Sequence, residues 1–311
     1  MNAALALLPD FSLILLGAAL RRALHLGDHF WGGLEKLIYF VLFPALLFNG
    51  LVRTRIDWNA AMPLILVVVG AIGVGMLLGV FARGFGISPI SFASQYQCAF
   101  RFNSYIGLAV AGSLHGTAGI AAMAIVVGVM VPPANIAAVW MLARHRESNV
   151  LGELARNPLI LATLAGIAAN VGGLAVPEIG LKVLGRLAEA SIALGLLAVG
   201  AGLRIGAGKG GGAPPHDPKV SPGGTAQRWA AGYLLAVKLL AMPASAWLLA
   251  RAAGLPPLYA DIALIFAGLP TASSAYILAQ RMGGDGARVA WLISASTLLG
   301  MLTLPFWLSL R

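Results

Sequence analysis

Arg101, Asn103, Ser104 and Tyr105 fall within five residues of one another inside an apolar run, AFRFNSYIGLAVAGSLHG, residues 99–116. A guanidinium meets a carboxylate in bidentate geometry, and an Asn amide both donates and accepts. Side by side in an apolar setting, these groups suit a small anion. A second constellation, GLPTASSAYILAQ (268–280), sets Thr271, Ser273, Ser274 and Tyr276 behind Pro270. Proline removes a backbone donor and clashes with the preceding turn, so the hydroxyls gather where a helix must break. Gly107 and Gly112 follow the first cluster. Glycine costs a helix interior about 1 kcal/mol relative to Ala, and a charge at bilayer depth costs at least about 2.5 kcal/mol. Both burdens in one place call for a reason.

Each residue also has a plainer reading. Asn103 binds substrate or only caps a broken helix. Arg101 attracts an anion or snorkels to an interface two turns away. The hydroxyls line a cavity or bond to carbonyls one turn back. Asn49, with Pro44 in FPALLFNGL, marks a bent helix lining that cavity or a kink packed between helices, and Asn135 and Asn170 invite the same caution. Glu189 and Lys238 are ionisable residues inside apolar runs, which by default are functional hypotheses. Glu189 is a candidate proton-coupling carboxylate raised in pKa by burial, and Lys238 a candidate balance for substrate charge. The alternative for both is a shallow position or a structural pair. His115 reads as a solvated residue of an outer loop.

The elements that must position these groups are membrane helices. The chain is 59% hydrophobic and 10% charged, with mean hydropathy +0.87, against about 25% charged in a soluble domain. No alternating ten-residue segments suggest a β-barrel. Ten spans can be drawn, at 8–25, 32–53, 60–82, 93–114, 118–143, 157–176, 181–204, 229–251, 258–280 and 287–309, each near the ~20 residues that cross ~30 Å of hydrocarbon. The N-terminal run lacks a basic region ahead of its apolar part, so it reads as a first span, not a cleaved signal.

The net charge of +10 is spread through the gaps between spans, which excludes a nucleic-acid patch. With the N-terminus outside, thirteen Lys and Arg fall on the inner side and six on the outer, leaving Arg101 and Lys238 within spans. That bias places both termini outside the inner membrane. Cys98 is the single cysteine, no Cys/His cluster has metal-site spacing, and no cofactor is implied. GAGKGGG (206–212) lacks the order GxxxxGK[ST], and HExxH and GxSxG are absent, which speaks against nucleotide binding and an enzyme.

An odd number of spans per half inverts the second half. The expected organisation is a first five-helix repeat (1–143), a cytoplasmic connector (144–156) and a second repeat (157–311) carrying a flexible Gly/Pro-rich linker at 205–227. Interrupted spans at matching places in two halves point to the binding site of a secondary transporter.

In order and spacing, RFNSYIGLAVAGSLHG, NPLILATLAGIAANVGGLAVP, ALGLLAVGAGLR, VKLLAMPASAWLL, GLPTASSAYILAQRMGGD and STLLGMLTLPFW resemble the auxin efflux carrier family, which includes bacterial malonate and malate permease-like proteins. The resemblance implies an all-α membrane protein of ten transmembrane helices in two inverted five-helix repeats. Helices 4 and 9 would be broken and crossed, as in sodium/proton antiporters. Carried over, the breaks fall near Asn103–Val110 and Pro270–Tyr276, with Gly107-Leu108-Ala109 where plant members often have proline. The long loop of plant members corresponds to residues 144–156, too short to support loop regulation. The resulting expectation is a secondary transporter of small mono- or dicarboxylates, coupled to H+ or driven by potential. The alternatives are a sodium-coupled carrier of the bile-acid type and a non-transporting sensor or scaffold. The oligomeric state is not legible in one chain, and a homodimer stays open.

Overall fold

Proline and glycine set where the helices begin, widen and stop. The structure, a computed structural model, describes residues 3–54, 58–143, 158–174, 176–203 and 224–310. The connector 144–156 lies outside the described residues, as does the linker over 205–223. The linker's last residues, 224–227, instead open a helix.

In chain order the helices are α1 Ala3–Ala23, α2 Asp28–Arg53, α3 Trp58–Val80, α4 Pro89–Tyr96, α5 Ser104–Ala143 and α6 Pro158–Val171. They continue as α7 Glu178–Ala201, α8 Thr225–Ala252, α9 Pro257–Gly268, α10 Ser274–Arg281 and α11 Gly286–Ser309. No strand occurs among the described residues. Six stretches are long and apolar enough to cross a membrane: Asp28–Arg53, Ala61–Phe85, Pro89–Leu142, Glu178–Ala201, Thr225–Ala252 and Gly286–Ser309. The third has 54 residues. It is interrupted at 101–103 and again at Gly116, whose φ of 57° and ψ of −142° suit only glycine.

Two helices widen at proline. α2 passes through a π turn at Ile38–Leu42 immediately before Phe43-Pro44, and α8 through one at Val237–Ala241 before Met242-Pro243. A proline ring would press on the carbonyl four residues back, and the wider turn relieves it. In α8 that carbonyl, Leu239 O, accepts a hydrogen bond from Trp307 Nε1 at 3.0 Å.

The helices pack into two groups. In one, α1 lies along α7 while α2 packs on α6 and α7; in the other, α9 is surrounded by α3, α5, α8 and α11. The α1–α7 seam is very close. A Cβ at Gly200 would collide with the backbone of Ile14, and one at Gly17 with that of Leu197. Small residues that let backbones touch are what hold membrane helices together where no hydrophobic drive exists. The groups meet where α5 touches α1, α2, α6 and α7, and where α1 touches α11.

Candidate functional site

Both breaks lie in the second group and bond directly to each other. α4 ends in a short 3-10 turn, Gln97–Ala99, and residues 101–103 are non-helical. α9 stops at Gly268 and α10 starts at Ser274. Between them Asn103 N donates to Pro270 O at 2.9 Å, Thr271 Oγ1 to Cys98 O at 3.1 Å and Gln97 Nε2 to Ala275 O at 3.2 Å. Backbone groups freed by a break cannot be satisfied by lipid, and here each break serves the other.

Asn103 caps α5. Its Oδ1 accepts from Tyr105 N at 3.0 Å and from Ile106 N at 3.4 Å, satisfying donors that a helix start leaves open. Its Nδ2 is buried and has no hydrogen-bond partner. The start of α10 has no side-chain cap. Thr271 N is taken by Ser296 Oγ at 3.1 Å, and the N–H groups of residues 272–274 have no acceptor among the described residues. Open N–H groups at a helix start favour an anion.

Two buried cations flank the second break. Arg101, 8% exposed, donates to Gln97 Oε1 at 3.0 Å, Asn135 Oδ1 at 2.9 Å and Ser274 Oγ at 3.0 Å. Lys238, fully buried, reaches Ala267 O at 3.3 Å and Met242 Sδ at 3.6 Å. All these partners are neutral. Among the described residues neither cation has a carboxylate within ion-pair distance. A buried charge without a counterion is costly, so a region with two of them is complementary to negative charge from elsewhere.

A matching family profile now decides the class: the profile described as "Membrane transport protein" covers residues 141–308. The chain belongs to the membrane transport protein family. It is also 26% identical over 310 residues to a protein of Rhizobium meliloti (strain 1021) named "Putative malonate transporter", covering 95% of this chain and 92% of that one. The resemblance to auxin efflux carriers is thereby borne out, and the membrane transport protein is a multi-pass helical protein.

The residues expected from the sequence fall out unevenly. Asn103, Arg101, Pro270, Thr271, Ser273 and Ser274 gather at the paired breaks. Arg101 does not snorkel; it sits at the break itself, buried among three acceptors. The first break is narrower than expected, ending at Asn103, so Gly107-Leu108-Ala109 is helical. Gly107 instead makes room, since a Cβ there would press on Leu269 Cδ1 at 2.8 Å. Tyr105 points across to α2 and stacks on Phe43 at 4.3 Å between ring centroids. Tyr276 Oη accepts from Gln280 Nε2 along its own helix at 3.1 Å.

Asn49 is not at the breaks. Its Oδ1 holds Arg53 Nε at 3.0 Å, and both line a cavity of about 720 Å³ between α2, α5 and α7. The burial expected for Glu189 is not found. Its side chain is 73% exposed at that cavity's edge, 3.6 Å from Arg186, because the register of α7 turns it away from the packed face.

Sequence reasoning missed three buried polar residues. Asp261 on α9 lies 2.9 Å from His115 Nε2, so His115 is no freely solvated loop residue. Asp10 on α1 accepts from Ser113 Oγ at 2.9 Å. Ser296 supplies the acceptor at the second break. An Asp inside an apolar run was the available signal for two of them.

Proposed function

We propose that this membrane transport protein is a secondary transporter of small organic anions, dicarboxylates in particular, working by alternating access. The observation that carries the reading is the pair of buried cations, Arg101 and Lys238, on either side of a helix break whose open N–H groups and the free Asn103 Nδ2 add donors. Two uncompensated positive charges suit two carboxylates better than one. The malonate named for the similar Rhizobium meliloti protein is such a dianion.

In this reading the chain makes ten spans as two inverted repeats, 1–143 and 157–311, with both termini outside the inner membrane. The shorter helices Pro158–Val171 and Pro257–Gly268 count among the spans. The group holding the breaks moves against the α1, α2, α6 and α7 group. Substrate reaches the breaks along the face where the groups meet, and the cavity beside Arg53, Lys182 and Arg186 is the outer entrance. Arg101 and Lys238 hold charge, Asn103 donates to a carboxylate oxygen, and Thr271, Ser273 and Ser274 shape the wall. Transport is driven by protons or by membrane potential.

The test is uptake of radiolabelled malonate by liposomes carrying the purified protein. Saturable uptake, competed by other short dicarboxylates and absent from empty liposomes, is the expected result. Uptake of no carboxylate under any gradient would overturn the reading.

A further inference from the structure

Buried negative charge collects at the end of the second group that carries Gly116. The last turn of α5 before that glycine is held from two sides. On one side Ser113 Oγ donates to Asp10 Oδ2 at 2.9 Å, and on the other His115 Nε2 lies 2.9 Å from Asp261 Oδ2. Asp10 is 6% exposed and the Asp261 side chain 5%, while His115 keeps 21% of its side chain exposed. Asp10 has no cation within ion-pair distance among the described residues. Asparagine would serve packing and hydrogen bonding equally well at either position, at far lower desolvation cost. The carboxylates therefore need a use that an amide cannot supply.

We propose that His115 and Asp261, with Asp10 across Ser113, form the proton-binding site that couples this protein to a proton gradient. The proposal rests on the transporter reading. Histidine is the side chain whose charge changes between pH 5 and 8 with the least tuning. With the ring proton on Nε2 shared with Asp261, an incoming proton binds Nδ1, and the pair goes from a charge of −1 to 0. No bond other than that N–H forms, and the proton leaves by the same atom.

The link to movement is Asp10. It stands on α1 in one packing group, and its donor Ser113 stands on α5 in the other, so sliding of the groups separates them. A buried carboxylate left without its donor is stabilised by taking a proton. Protonation at this end thus favours the arrangement in which the groups have moved. The other titratable or charged side chains on elements packed against α5 and α9 at this end are Arg53 on α2, Glu178, Lys182, Arg186 and Glu189 on α7, Arg251 on α8 and Tyr259 on α9 itself. The α3 and α6 helices carry none.

The test uses the purified chain in liposomes. Malonate uptake driven by an inward proton gradient at zero potential is compared with malonate exchange without a gradient, for wild type, H115Q, D261N and D10N. In the wild type the gradient stimulates uptake several-fold and an entrapped pH dye reports proton entry. In H115Q and D261N the stimulation falls towards one. Full stimulation in both variants, or uptake by the wild type that ignores the gradient, overturns the proton site and leaves the transporter reading standing. If no carboxylate moves at all, the transporter reading fails. The site is then judged from Tm against pH between 5 and 8. A profile that differs between wild type and H115Q supports proton binding at His115, and superimposable profiles overturn it.

Discussion

The middle of this molecule and its Gly116 end bury opposite charges. At the paired breaks Arg101 and Lys238 are enclosed by neutral acceptors, while at the Gly116 end Asp10 and Asp261 are enclosed beside Ser113 and His115. Apolar helices tolerate ionisable groups only where something repays their desolvation. At the breaks, the repayment left open is an anion from outside. At the Gly116 end a histidine already stands against one carboxylate, and what is left to come and go is a proton. In the reading proposed above, one fold keeps cargo and coupling in separate places.

The contrast is most readily broken at Arg101. Removing a buried, hydrogen-bonded charge that meets an opposite charge costs about 2–5 kcal/mol in binding. R101Q is therefore expected to weaken malonate binding by more than about 30-fold, since each 1.4 kcal/mol is a factor of ten. R101K keeps the charge without the planar fork and should fall between. Binding by isothermal titration in detergent gives both values.

Lys238→Met sharpens the same comparison. It removes charge with little change of volume, so affinity for malonate should drop while affinity for a monocarboxylate such as acetate changes far less. Fold stability should hold or rise, because replacing an uncompensated buried charge by a packed apolar group is often neutral or stabilising. A parallel loss for both ligands would separate Lys238 from the second carboxylate. A smaller effect is expected of Thr271→Val, which loses only the hydrogen bond to Cys98 O. About 1 kcal/mol of stability should go with it, read as a modest fall in Tm without change of ligand preference.

How far the sequence led can be judged from single residues. Asn103 and Pro270 were legible because an amide and an imino acid inside apolar runs carry a cost that must be repaid locally. Gly107 misled because glycine marks both a break and a close approach; only the position of Leu269 tells them apart. Glu189 misled because a shift of a residue or two in register turns a helix face from protein to the outside. His115, Asp261 and Asp10 were each visible as residue types, but the His115–Asp261 pair joins positions 146 apart in the chain and the Ser113–Asp10 pair positions 103 apart. No local pattern encodes such a pairing. The all-helical, multi-pass class was legible because hydropathy over twenty residues is a property of composition, not of partners.

The most direct test of an anion site at the breaks is malonate-induced thermal stabilisation of wild type and Asn103→Asp. Asp places an oxygen where Asn103 Oδ1 caps α5, and substitutes a negative oxygen for the free Nδ2 donor. Ligand that binds the native state raises its apparent stability by mass action. The expected result is a malonate-dependent rise of Tm in the wild type and none in a folded Asn103→Asp. An equal rise in both would contradict the account and move the substrate away from the paired breaks.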